Sequence, residues 1–135
     1  MQFFSYGGYG DKALKDFHYS QAARLPDGRI ELSGQGGWDP ETGKCKETLE
    51  EQVSQAFANI ELALQTAGSS WKDVYSIRTY YVGTDRKEYE FVLANLRRWS
   101  PERKPIWTAL TVPALAFPDM KIEIEAVAYA PKAEK

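Results

Sequence analysis

From Met120 to Tyr129 the chain alternates without a slip. Met120, Ile122, Ile124, Ala126 and Ala128 fall on one side of an extended strand, and Lys121, Glu123, Glu125, Val127 and Tyr129 fall on the other. A strand of this kind needs an apolar cover over its first set, and the chain supplies candidates. Thr48-Leu49-Glu50-Glu51 has capping-box spacing. Val53, Ala56, Phe57, Ile60, Leu64 and Ala67 then recur at helical steps up to Gly68, a left-handed stop. Val74 to Val82 is dense in β-branched and aromatic residues and reads as a central strand. A second helix is expected from about Asp85, with Glu88 at capping distance and Tyr89, Val92, Leu93, Leu96 and Trp99 on one side, ending at Ser100-Pro101. Strands over Ile106–Val112 and Lys121–Tyr129 complete the pattern, joined by the segment 113–119.

Upstream, 17–23 and 29–33 flank Pro26-Asp27-Gly28, a tight reversal, and predict a β-hairpin. Residues 33–43, with Gly34, Gly36, Gly37 and Gly43, read as a breaker-rich loop that brings backbone close to a ligand or another chain. Residues 1–16 show no clear period and are taken as an irregular lead-in or an added edge strand. The expected order is therefore β-β-α-β-α-β-β, an α+β fold with a mixed sheet and both helices on one face. The other face lacks a cover. With 4 Trp, 8 Tyr and 6 Phe in 135 residues, that face is expected to meet further subunits, most simply in a closed ring.

Charge excludes some functions. Lys and Arg total 17 against 19 Asp and Glu, a net charge of −2, which leaves no basic footprint for nucleic acid. The single cysteine, Cys45, excludes an internal disulfide or a multi-thiolate metal site within one chain, and fits a reducing compartment. The N-terminus has no basic-then-apolar leader, and no apolar stretch approaches a membrane span, so the chain reads as soluble and cytoplasmic.

Glu123 and Glu125 share the strand face assigned to the subunit side, where desolvation would raise a carboxyl towards the acid/base range. A solvated face, or an ion pair with Arg78 or Lys121, is the competing reading. His18, the only histidine, has no accompanying nucleophile motif and reads as a surface or capping residue. Lys44 and Lys46 could lower the pKa of Cys45, although an incidental loop cysteine is the plainer reading. Ser33-Gly34-Gln35-Gly36-Gly37 matches no phosphate-loop pattern. Arg97, Arg98, Arg103 and Lys104 straddle a helix end, where cations complement the dipole.

Several segments in order carry a resemblance: Tyr19-Ser20-Gln21-Ala22; Ser33-Gly34-Gln35 with Asp39-Pro40-Glu41-Thr42-Gly43; Gln52 and Asn59; Ala67-Gly68 before Trp71-Lys72-Asp73-Val74; and residues 121–128. Together they resemble the Rid/YjgF family, also called the reactive-intermediate deaminase or L-PSP endoribonuclease family. The resemblance covers about 17–131, which implies one domain there, an N-terminal extension over 1–16 and a tail over 132–135. It implies a chorismate-mutase-like fold and a homotrimer whose strands line a central barrel, with small-molecule clefts between subunits. It also implies hydrolysis of imines or enamines to 2-oxo acids and ammonia, with no cofactor and no metal.

On that likeness Glu123 matches the acid that positions water, and Tyr19, Ser33, Gly34, Trp107 and Thr108 fall at the substrate-binding positions. The family's Pro-x-Arg-Ser/Thr motif reads here Pro105-Ile106-Trp107-Thr108, so Trp107 stands where the carboxylate-binding arginine is expected. Indole offers one neutral N–H, whereas guanidinium offers a charged fork. Arg78, Arg103 or Lys104 are the candidates to supply the missing charge, and Leu93 falls near the position of a family asparagine. The readings that follow are a divergent hydrolase with Trp107 stacking on a larger substrate, a trimer that binds a metabolite without turnover, and, least favoured, a ribonuclease.

Overall fold

In the computed structural model, which describes residues 1–132, one seven-stranded sheet runs in the order β1-β2-β3-β7-β5-β6, with β4 also paired to β7. The strands are β1 (Gln2–Phe4), β2 (Ala22–Arg24), β3 (Arg29–Leu32), β4 (Gln35–Gly36), β5 (Val74–Val82), β6 (Ile106–Val112) and β7 (Ile122–Tyr129). The helices are α1 (Tyr9–Asp16), α2 (Leu49–Thr66) and α3 (Glu88–Trp99). Residues 133–135 of the expected C-terminal tail lie outside the described residues.

The alternation of β7 places its residues as the sequence indicates. Ile122, Ile124, Ala126 and Ala128 are buried beneath the helices, and the intervening side chains stay partly or fully open. β5 and β6 run parallel, joined through α3, and β7 is antiparallel to β5. α2 begins with the full capping box, Thr48 and Glu51 satisfying each other's backbone N–H groups. It ends at Gly68, whose φ of 81° suits a residue without a side chain. There Arg24 donates from Nε and Nη2 to the Ala67 carbonyl (3.0 and 2.8 Å), so a buried guanidinium closes the helix end.

Gln52 and Asn59, two positions of the family resemblance, act as fasteners. Gln52 donates from Nε2 to the carbonyls of Lys46 and Asp119 (both 2.9 Å) and accepts from the Lys121 N–H (2.9 Å). Asn59 donates to the carbonyls of Gly36 and Trp38 (3.0 and 2.8 Å). Asn59 thus ties the glycine loop to α2, and Gln52 ties to it the chain at Lys46 and the entry to β7.

Three expectations are corrected. Residues 1–16 do supply an edge strand, but they also form a third helix, α1, so the order gains a β-α unit at its start. α1 is short and contains Gly10, a poor helix former, which hides it from a periodicity search. Gly10 lets the Tyr6 ring pack closely, since a Cβ there would stand 3.0 Å from it. The first hairpin strand is only Ala22–Arg24, because His18 sits at a φ of 61° and breaks the extended run. Finally, α3 starts at Glu88, not near Asp85. The Asp85 carboxylate is already taken by the Tyr81 hydroxyl (2.5 Å) and the Lys87 N–H (3.2 Å).

Candidate functional site: an acidic corner on the open sheet face

Strand register decides which candidates share a face. Glu123 lies beside Tyr80 and Glu125 beside Arg78, all on the face away from the helices. Gly34 lies over Glu123: a Cβ added there would meet its Cδ at 2.8 Å. Glycine therefore permits the close approach of backbone to carboxylate. Ser33 is held at this corner by donating from Oγ to the Ser20 carbonyl (2.6 Å) and from N to the Gln21 carbonyl (2.9 Å). The half-buried Tyr19 brings its hydroxyl to 3.4 Å from that of Tyr9.

Tyr9 is a site residue that sequence reasoning misses. It comes from α1, packs against Trp38 with ring centroids 4.5 Å apart at a 41° tilt, and is 5% exposed. Behind it the Tyr6 hydroxyl donates to Gln35 Oε1 (2.8 Å) and accepts from Trp38 Nε1 (3.0 Å), and Gln35 Nε2 donates to Gln21 (2.7 Å). The only sequence signal is the spacing of Tyr6, Tyr9 and Ala13, which is helical but too brief to stand out.

The electrostatics favour protonated groups. Burial, reinforced by the charge of Glu125, raises the Glu123 carboxyl above its usual range. Burial also pushes Tyr6 up to about 12, and Tyr9 higher still, with Tyr19, Tyr6 and Glu123 adding to the effect. Both phenols are therefore neutral hydrogen-bonding groups at physiological pH. Glu125 accepts a short hydrogen bond from the Tyr80 hydroxyl. Among the described residues neither Glu123 nor Glu125 forms an ion pair, so Arg78, although aligned with Glu125, does not neutralise the corner. Nor do the described residues bring together three His, Cys, Asp or Glu side chains that could hold a metal ion.

Trp107 lies elsewhere. It is paired with Ile77 and faces the helices, where its ring stacks on Tyr89 of α3 (5.3 Å, 18°) and its Nε1 donates to Thr79 Oγ1 (3.0 Å). Its N–H is occupied and one ring face is covered. Thr108, paired with Arg78, is exposed on the opposite, open face. Within one chain the structure thus gathers Tyr19, Ser33, Gly34 and Glu123, but leaves Trp107 across the sheet from them. Leu93 is half-buried on α3. The buried amide two residues on, Asn95, is engaged with the Phe91 carbonyl (2.9 Å).

Residues 11–130, nearly the whole fold, match the family model described as Endoribonuclease L-PSP. The chain belongs to the Endoribonuclease L-PSP family. Within this L-PSP family, known also as Rid/YjgF, it is 33% identical over 111 residues to the human 2-iminobutanoate/2-iminopropanoate deaminase, covering 82% of this chain and 78% of that protein. It is 39% identical over 72 residues to a RutC family protein of Aquifex aeolicus, a match spanning 53% of this chain and 55% of that relative. The crystal structure of RidA from the Antarctic bacterium Psychrobacter sp. agrees with a TM-score of 0.75 at 32% identity, over 82% of this chain and 87% of that one. These likenesses establish the L-PSP fold and leave the chemistry of this member to its own residues.

Cys45 departs from the expectation raised by its lysine neighbours. Burial pushes its thiol up and the Asp119 charge adds to this, with Lys121 opposing. Alkylation of the native protein by iodoacetamide at neutral pH is expected to run slower than that of the unfolded chain, with the two rates converging under denaturing conditions. No helix among the described residues is long and apolar enough to cross a membrane.

Proposed function

We propose that this protein hydrolyses the C=N bond of a small imine, or of an enamine through its imine tautomer, in clefts between the protomers of a cytoplasmic homotrimer, without a cofactor. The observation that carries this reading is the desolvated Glu123 carboxylate, packed against Gly34 beside the Tyr9–Tyr19 hydroxyl pair. A carboxylate whose proton affinity is raised by burial can take a proton from water as the oxygen attacks the imine carbon. Passing that proton to nitrogen gives the carbinolamine, and transfer of its hydroxyl proton to the amino group, again through the carboxylate, releases ammonia as the C–N bond breaks and the C=O bond forms. Imine and water are thereby converted to a carbonyl compound and ammonia, with no change of oxidation state. The Tyr9–Tyr19 hydroxyl pair supplies hydrogen-bonding groups at the same corner.

Two features support a cleft completed by a neighbour. Among the described residues the outer edge of β6 has no pairing partner, and Ile106, Thr108, Ala109, Leu110 and Thr111 on it are exposed. Phe3, Tyr75, Ile106, Leu110 and Tyr129 leave apolar surface on the open face. Such an edge and patch are rarely left bare. The names of relatives, notably the human 2-iminobutanoate/2-iminopropanoate deaminase, point to the same bond type.

Trp107 lies across the sheet from Glu123 in its own chain, so in the cleft proposed here it is the Trp107 of a neighbouring protomer that stands at the anchor position and sets the substrate apart. Without a guanidinium at that position, a simple 2-imino acid loses a charged anchor, a loss of roughly ten- to a hundredfold or more. The test is ammonia release from freshly generated 2-iminobutanoate and from aromatic imino acids. Trp107→Arg is expected to gain at least tenfold on 2-iminobutanoate while the native protein favours the aromatic substrate. A second reading, binding without turnover, is favoured by one observation: the Trp107 N–H is already committed to Thr79. Saturable binding with no ammonia release across the panel would establish it. Ribonuclease action finds little support, since His18 is exposed and the net charge is −2.

A further inference from the structure

Near the start of β6 the cations of the α3 C-terminus gather around an apolar floor. A groove of about 380 Å³ runs there, lined among others by Leu93, Leu96, Arg97, Arg103, Lys104 and Pro105, with no carboxylate on its walls. Cations alone at a helix end are explained by the dipole. An apolar floor beneath them is not. Leu93 and Leu96 follow Tyr89 by four and seven residues, so all three lie along one side of α3. Tyr89 carries the stacked Trp107 indole, which continues this apolar strip beyond the groove.

The cations are placed rather than trailing. Ser100 is 6% exposed and donates from Oγ to the Arg103 carbonyl (2.9 Å), pinning the turn that presents Arg103 and Lys104. Pro101 and Pro105 bracket that turn and fix φ on both sides. Arg98, by contrast, lies 5.6 Å over the Trp99 ring and takes no part. Among the described residues Arg97, Arg103 and Lys104 have no ion-pair partner, so their charges stay available.

We propose that this groove is a binding site for a small amphipathic anion, an aryl- or alkyl-bearing carboxylate. Its apolar body lies on Leu93 and Leu96, and its carboxylate meets Arg97, Arg103 and Lys104. A volume of this size falls at the lower end of the range of small-ligand pockets. The site does not involve Glu123, because it lies in the helix layer, across the sheet from the acidic corner. It stands whether or not the protein hydrolyses imines.

Calorimetric titration of the full chain with 3-phenylpropanoate, its uncharged amide and inorganic phosphate tests both halves of the site. The carboxylate is expected to bind at least tenfold more tightly than either the amide or phosphate. The exposed triple substitution Arg97→Gln, Arg103→Gln, Lys104→Gln should remove that preference, and Glu123→Gln should leave it intact. Equal binding of the amide would overturn the charge assignment, and equal binding of phosphate would reduce the groove to a non-specific cationic surface. Loss in Glu123→Gln with retention in the triple variant would move the ligand to the acidic corner and end the proposal.

Discussion

Glu123→Gln is expected to lower imine turnover by about 10²–10⁴-fold, the usual worth of a positioned general base. Glutamine keeps the shape and the contact with Gly34 but cannot accept the proton. The same variant carries a stability signature of the opposite sign. Because burial raises the folded pKa of Glu123, the native state binds its proton more tightly than the unfolded chain does. Between the ordinary carboxyl range and that raised value, stability falls as pH rises, since ionising the buried group costs free energy. The neutral amide escapes this cost. Denaturant unfolding should therefore find Glu123→Gln more stable than the native sequence at neutral pH. The difference should vanish at a pH below the ordinary carboxylate range. A loss of activity with equal loss of stability at neutral pH would mean structural damage instead of missing chemistry.

The largest stability effect is expected at Trp71. It is 2% exposed, stacks on Phe57 at 4.9 Å with an interplanar angle of 11°, and donates from Nε1 to the Phe57 carbonyl (2.9 Å). Its backbone N–H is also capped by Glu61 Oε1 (2.9 Å), so the turn entering β5 is fixed to α2 through this one residue. Trp71→Ala removes a large buried ring and leaves the face of Phe57 bare. The expected cost is about 3–5 kcal/mol, or a fall in Tm of roughly 10–20 °C. Trp71→Phe should recover part of it by refilling the stack without the indole N–H. Thermal unfolding of both variants checks the order.

Much of this architecture is legible in the sequence because the signals are long or chemically specific. The alternation of 120–129 places β7 and its buried face, and the capping box with Gly68 bounds α2. The N-terminal helix is not legible, because eight residues with an internal glycine carry too little periodicity, and its stability comes from packing Tyr9 and Ala13 against the rest. At the site, alternation places Glu123 on the open face and the family likeness places Gly34 and Tyr19 near it. Neither reveals Tyr9, which arrives from a segment outside the resemblance. Nor does the sequence show that Trp107 turns to the helix side, a fact set by the register of β6 against β5.

That register frames the central claim, a reaction site completed by a neighbouring protomer. Leu110 is 46% exposed and aligned with Tyr80, which is in turn aligned with Glu123. Leu110→Glu should therefore spare the isolated chain while burying a charge wherever protomers meet. Sedimentation equilibrium with ammonia release on the same samples is the decisive measurement. The native protein is expected to sediment as an active trimer, and Leu110→Glu as a folded monomer without turnover. An active monomer, native or variant, would contradict the account.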